Sequence, residues 1–328
     1  MVDKYFPLYL LVFLGAFLLT VAIERLAIPK LKLHARQPIY TEGPAWHIKK
    51  SGTPTMGGLA FLCSISISLI LSALFLYFQG MAEESLSLII SALYATGNSL
   101  VGIIDDLKKL KNKQNGGLTP KQKLLLQFFF AVCFLAFRSQ LMSDSTVIYF
   151  SSGKIDLGIF YYPISILALL GTVNCANLTD GVDGLASSVA FSIGVSLFYI
   201  SAALFHDVAI IAAAIIGATV GFLIFNINPA KIFMGDTGSL FLGALIVSTT
   251  FSLGNPLLII LIGGVYVVEG CSVILQVVYY KLTKKRLFKM APLHHHLEQS
   301  GISENKICII SMIATLILSS IAFVVFLP

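Results

Sequence analysis

Ten apolar stretches, each close to twenty residues long, constrain this chain more than any other feature. A bilayer's hydrocarbon core is roughly 30 Å thick and is crossed by about 20 helical residues. Inside lipid every backbone polar group needs a partner within the segment, so such stretches become helices. They fall near 5–23, 56–78, 87–104, 124–142, 160–177, 185–204, 208–225, 238–253, 256–280 and 307–326. The stretches near 87–104 and 238–253 are short for a crossing, so their helices are expected to run on into the loops. Only 12% of residues are charged, against about 25% in soluble domains. The expected fold is an all-α polytopic integral membrane protein of about ten transmembrane helices, one domain over 1–328. Tyr5–Ile23 follows an acidic residue and lacks a small-residue cleavage site, so it reads as the first span. Cys63, Cys133, Cys175, Cys271 and Cys308 lie in or beside apolar runs without a CxxC pair. They read as small hydrophobes, not as disulfides or metal ligands.

Ten crossings sort the loops onto two sides. The loops 24–55, 105–123, 178–184, 226–237 and 281–306 share one side and hold nineteen of the 22 basic residues. Lys4, Arg138 and Lys154 fall on the other. Basic residues concentrate in cytoplasmic loops, so this side is expected to be cytoplasmic and both termini extracytoplasmic. The same rule accounts for the net charge of +6 without invoking nucleic acid. On the quiet side, alternation in Val147–Phe150 and Ile155–Ile159 around Ser151-Ser-Gly-Lys154 predicts a small hairpin.

The basic side also collects carboxylates. Asn174-Cys-Ala-Asn-Leu-Thr-Asp-Gly-Val-Asp-Gly-Leu185 places Asp180 and Asp183 three residues apart, on one face if the turn is helical. Asp105 and Asp106 close the third span, where a helix C-terminus disfavours them unless a cation is near; Lys109 follows. The plainer reading of that segment is a solvated helix end. Gly235-Asp-Thr-Gly238 puts exposed amides beside Asp236 at a helix start, suited to phosphate oxygens and a hard cation. Its plainer reading is an N-cap by Asp236 or Thr237. Asn226, Asn228, Lys231 and Phe233 precede it, Phe233 being placed to stack on a planar base. Three loops converging would face aspartates with lysines, a composition for a divalent metal and a polyphosphate.

Pro292-Leu-His-His-His-Leu-Glu298 does not read as a zinc site. Consecutive helical residues lie about 100° apart and cannot all face one metal. His294 and His295 suit hydrogen bonding or phosphate; the plainer reading is a basic interfacial helix, Lys281–Gln299, on anionic lipid. Lys50, Thr53 and Thr55 bring donors to the glycines that open the second span. Glu269 and Gln276 are polar groups late in the ninth span, of the kind that bond between helices.

Jointly, Gly52-Thr-Pro-Thr-Met-Gly-Gly58, Asp105-Asp106, Asn177–Leu185, Phe233-Met-Gly-Asp-Thr-Gly-Ser239 and Pro292–Glu298 resemble the polyprenyl-phosphate N-acetylhexosamine-1-phosphate transferase superfamily. The triple histidine points to its phospho-N-acetylmuramoyl-pentapeptide transferase (MraY) branch. Leu107 stands where that family usually has an aromatic residue. The resemblance implies a magnesium-dependent bacterial inner-membrane enzyme with its site on the cytoplasmic face. Its substrates would be UDP-N-acetylmuramoyl-pentapeptide and undecaprenyl phosphate, its products lipid I and UMP, and its oligomeric state a homodimer among membrane lipids. Carried over, the catalytic set is Asp105, Asp106, Asp236, Lys109, His294 and His295, with Asp236 the metal ligand and Asp105 the candidate base. Lys50, Thr55, Asn177, Asp180, Asp183, Asn226, Phe233, Gly235, Gln276 and His296 would bind substrate, with Asn177, Asp180 and Phe233 holding uridine. Direct in-line transfer is expected, an aspartyl-phosphate on Asp105 or Asp106 being the rival. Two other functions share part of this pattern: N-acetylglucosamine-1-phosphate transfer, against which the histidines speak, and an ion-coupled secondary transporter. The latter calls for repeats and midplane charges, and neither is found.

Overall fold

A computed structural model describes residues 4–35, 50, 52–112, 116–141, 146–151, 153–202 and 205–326. Arg36, Lys49 and Lys113 of the basic loops lie outside the described residues. Each of the ten apolar stretches coincides with helix: α1 Phe6–His34, α2 Gly58–Phe78, α3 Ala82–Asn112, α4 Pro120–Ser139, α5 Tyr161–Thr179, α6 Leu185–Ser201, α7 His206–Asn226 and α8 Gly235–Ser252, then α9 Ile259–Ile262 with α10 Gly264–Thr283, and α12 Glu304–Phe326. A short α11, Leu293–Gln299, precedes the last. The ninth stretch is broken at the glycine pair Gly263-Gly264, where a helix loses most in backbone entropy.

One length departs from expectation, and another bears out the expected run-on of the 87–104 helix. Helix α1 has 29 residues and α3 has 31. No glycine or proline follows Asp106 before Gly116, so α3 runs on to Asn112 and its carboxylates sit inside the helix, not at its end. Among the described residues, eight helices are long and apolar enough to cross a membrane by length and composition. The remaining two, α6 and α8, have 17 and 18 residues. Helix α8 is buried at every position from Thr237 to Ser252, packed among α2, α3, α5, α6 and α7. A helix enclosed on all sides has protein, not lipid, as its solvent, so bilayer thickness does not set its length.

The bundle has two distinct ends. At one, β1 (Val147–Phe150) and β2 (Gly153–Asp156) form the expected antiparallel hairpin, with Val147 opposite Asp156. Asn255 Nδ2 donates to Tyr149 O at 2.7 Å and Ser151 N to Val325 O at 3.1 Å. Tyr9 Oη lies 2.6 Å from His206 Nδ1, and Tyr5 Oη donates to Met81 Sδ at 3.1 Å. Both described chain termini therefore lie at this hairpin end. The opposite end gathers residues 50 and 52–57, 105–112 with 116–119, 180–184, 226–236 and 293–304. Backbone bonds join the first and fourth of these: Phe233 N to Pro54 O, Gly57 N to Phe233 O and Gly58 N to Met234 O. Glycines make the approach this close. A Cβ on Gly58 would lie 2.1 Å from Gly238 N, and one on Gly102 would lie 2.3 Å from Asp236 O.

Candidate active site

Helices α3 and α8 build the centre. Asp106 Oδ1 accepts from Asp236 N at 3.2 Å, and Oδ2 accepts from Thr237 N at 3.0 Å and Thr237 Oγ1 at 2.7 Å. An anion at a helix N-terminus is favourable by about 0.3–1 kcal/mol, more when partly buried. Asp106 thus caps α8 from another helix. The expected N-cap by Asp236 or Thr237 does not occur: the residue before the helix is Met234, without a side-chain bond, and Asp236 sits in the first turn. With the amides taken by Asp106, the Asp236 carboxylate is left to face outward.

There it meets two lysines. Lys109 Nζ, one turn after Asp105, lies 2.7 Å from Asp105 Oδ2 and 3.2 Å from Asp236 Oδ1. Lys123 Nζ lies 3.0 Å from Asp105 Oδ2 and 2.5 Å from Asp236 Oδ2. Lys123 had no assigned role in the sequence. Its place follows from the start of α4, fixed by a capping box between Thr119 and Gln122 with Pro120 at the first position. Leu118 N also donates to Asp105 Oδ1 at 2.6 Å, tying that loop to α3. Oxygens of Asp105, Asp106 and Asp236 lie within 4.8 Å of one another. Three converging carboxylates are the hard donor set that magnesium or manganese takes. Asp180, half-buried at the end of α5, faces the same cluster. Burial, then the charges of Asp236, Asp106 and Asp183, raise its pKa well above the ordinary carboxylate value, with Lys109 opposing.

Asp180 and Asp183 do not share a face, because the segment between α5 and α6 is a turn and not a helix. Asp183 points instead to Lys50 Nζ, 2.8 Å from its Oδ1. Its Oδ2 accepts from Asn228 Nδ2 at 3.1 Å and Ala230 N at 3.0 Å. Glu304 Oε2 accepts from Lys50 Nζ at 2.7 Å and from Asp183 N at 2.9 Å. Burial works against the Lys50 ammonium, but its bonds to Asp183 and Glu304 outweigh that and raise its pKa. Lys50, Thr53, Asp183, Asn228, Pro229, Ala230 and Glu304 line a cavity of about 290 Å³. Asn226 is buried and committed within the protein, accepting from Gly184 N and donating to Ile232 O. Asn177 Nδ2 donates to Ser239 Oγ at 2.8 Å, joining α5 to α8. Phe233 is half-buried at the loop end, and Thr55 is buried there, its hydroxyl beside Gly235 and Asp106.

The histidines turn three ways, as their spacing predicts. His294 is fully buried; its backbone N and Nδ1 lie 3.2 and 3.1 Å from Glu269 Oε2. Its Nε2 has no hydrogen-bond partner and fills the space that a side chain at Gly181 would need. His295 Nδ1 lies 2.6 Å from Glu298 Oε2. His296 Nδ1 accepts from Lys289 N at 3.2 Å. Gln276 Oε1 accepts from Leu287 N and Phe288 N. His296 and Gln276 therefore brace the 284–292 loop. Lys281–Gln299 is not one helix: α10 ends at Thr283, Lys284 turns left-handed at φ 57°, and α11 begins at Leu293.

Residues 85–254 match the model of glycosyl transferase family 4. Residues 50–62 match signature 1 of phospho-N-acetylmuramoyl-pentapeptide-transferase. The phospho-N-acetylmuramoyl-pentapeptide-transferase of Halalkalibacterium halodurans is 45% identical over 303 residues, 92% of each chain. That of Clostridium botulinum (strain Eklund 17B / Type B) is 42% identical over 320 residues, 97% of this chain and 96% of its own. That of Bacillus cereus (strain AH187) is 44% identical over 303 residues, 90% of each.

Proposed function

Since the chain belongs to the phospho-N-acetylmuramoyl-pentapeptide-transferases within glycosyl transferase family 4, we propose that it makes lipid I. It transfers phospho-N-acetylmuramoyl-pentapeptide from UDP-N-acetylmuramoyl-pentapeptide to undecaprenyl phosphate, releasing UMP. The observation that carries this reading is the meeting of Asp105, Asp106 and Asp236 with Lys109 and Lys123 at one end of a membrane bundle. A lipid phosphate has its tail in the bilayer and its head at this level. The bias of basic residues supports a cytoplasmic location for this end, facing the soluble nucleotide sugar in the bacterial inner membrane.

The chemistry follows from charge. One phosphate must approach another against like-charge repulsion. Lys109 and Lys123 stand where they neutralise diphosphate oxygens and stabilise departing UMP. Asp236, with Asp105 and Asp106, would hold magnesium, which supplies Lewis-acid stabilisation of the phosphoryl oxygens when bound. Asp105 is fully buried against both lysines. We therefore assign it to orienting them, and not to taking a proton from the lipid phosphate. Phe233 and the cavity beside Lys50 and Asp183 hold the nucleotide. His294, packed on Gly181 and bonded to Glu269, sets the Asp180 turn. The whole chain acts as one transferase domain, and as a homodimer in the membrane, which the mass of the detergent-solubilised particle tests.

The deciding experiment measures UMP release from UDP-N-acetylmuramoyl-pentapeptide by purified protein, with and without magnesium and undecaprenyl phosphate. Release that needs all three components is expected. No release from a folded preparation, or faster release from UDP-N-acetylglucosamine, would sink the reading.

A further inference from the structure

We infer that Glu304 is a positioning residue for the nucleotide-sugar subsite, holding the Lys50 ammonium and the Asp183 turn in register with each other. The inference rests on the function proposed above. Glu304 opens α12, and one of its oxygens does two jobs: Oε2 accepts from Lys50 Nζ at 2.7 Å and from Asp183 N at 2.9 Å. Lys50 closes the triangle on Asp183 Oδ1 at 2.8 Å. One turn further along α12, Cys308 Sγ donates to Asp183 O at 3.4 Å. Helix α12 thus grips both the N–H and the carbonyl of Asp183.

This matters because of what a lysine is. Its ammonium rides on a flexible four-carbon stem and has no fixed direction. Asp183 has both oxygens occupied, by Lys50 on one and by Asn228 and Ala230 on the other. It restrains Lys50 from one side alone. Glu304 supplies the second anchor, so the ammonium is fixed against the wall of the 290 Å³ cavity. A carboxylate in the first turn of α12 is itself favoured there by the helix dipole. The anchor comes from 254 residues away in the chain, so it belongs to no motif.

Glu304→Gln keeps the shape and an accepting oxygen but removes the charge. Two readouts are taken on proteins that elute as one species in detergent. The first is steady-state UMP release. KM for the nucleotide sugar is expected to rise about tenfold while kcat changes less than about threefold and KM for undecaprenyl phosphate stays put. The second is calorimetric binding of UMP, which needs no turnover and is expected to weaken by a similar factor. If Glu304 acts through Lys50, the double variant Glu304→Gln/Lys50→Gln is no worse than Lys50→Gln alone, since contacting residues are not additive. Unchanged KM and UMP affinity in Glu304→Gln, additive losses, or equal losses on both substrates overturn the inference. A wild-type protein that binds UMP but does not turn over defeats the proposed function and leaves this one standing on the binding data. A wild type that does not bind UMP defeats both.

Discussion

The two ends of the bundle handle buried charge in opposite ways. At the hairpin end Arg138 is buried on α4, with Nη2 on Phe251 O and Nη1 on Ser252 Oγ at 3.5 Å. Ser87 Oγ lies 3.0 Å from Ser252 Oγ and donates to Asp207 Oδ2 at 2.6 Å. One cation and one anion are joined through two hydroxyls, and the charges cancel. At the loop end Asp105, Asp106, Asp180 and Asp236 face Lys109 and Lys123. The charges there do not cancel, and burial together with the neighbouring carboxylates raises the pKa of Asp180 well above the ordinary value. A matched buried pair fixes a scaffold. A surplus of one sign, kept in place against its own repulsion, marks a functional site.

The comparison breaks or sharpens under mutation. Asp236→Asn is expected to lower turnover by about a thousandfold or more in a protein that still folds, with a somewhat lower melting temperature because Lys109 and Lys123 lose their shared partner. UMP release and a thermal melt on the same sample check both halves. Chelation should likewise abolish UMP release, with recovery on adding magnesium and an unchanged elution profile. Lys123→Met should cost about a hundredfold in kcat. A wild-type rate there would return that lysine to the solvated rim. Arg138→Met should do the reverse, costing about 3 kcal/mol of stability by stranding Asp207 and a carbonyl. Its folded fraction should keep the wild-type KM for both substrates. Ser87→Ala, at the same end, should cost about 1 kcal/mol and leave kinetics alone. The smallest effect is on pH. Asp180 has a raised pKa in the folded protein, so the folded state binds the extra proton. Its contribution is fully present below the ordinary carboxylate range and is lost as pH rises through the folded value. Asp180→Asn should flatten that slope in melting temperature; a steeper slope would contradict the assignment.

Periodic information survived well in the sequence, and distant information did not. Apolar runs of bilayer length located ten helical segments, and alternation located the hairpin, because each is written in neighbouring residues. The carboxylate cluster was legible as composition, since Asp105, Asp106 and Asp236 stand in conspicuously apolar surroundings. What those residues do to one another was not legible. Asp106 caps a helix 129 residues further on, so the plainer local reading gave the cap to Asp236 or Thr237. Lys123 was one of several lysines in a loop until the Thr119 capping box fixed its turn of helix. The run-on of α3 was expected, but Asp105 and Asp106 were read as a helix end because adjacent charges look like a boundary, although nothing there breaks a helix. Glu269, read as a group that bonds between helices, does so from α10 to His294 of α11, whereas Glu304 was hidden because its partners lie in distant segments.

The enclosure of α8 also has a bearing on how the chain is made. Its neighbours α2, α3, α5, α6 and α7 all leave the ribosome earlier. Until residue 252 has emerged, the nascent protein has a rim without a hub. The segment that fills it is polar at its leading edge and carries serine and threonine in its first and last turns. Chains arrested before that point should cross-link to the insertion machinery, and release should coincide with the arrival of this helix.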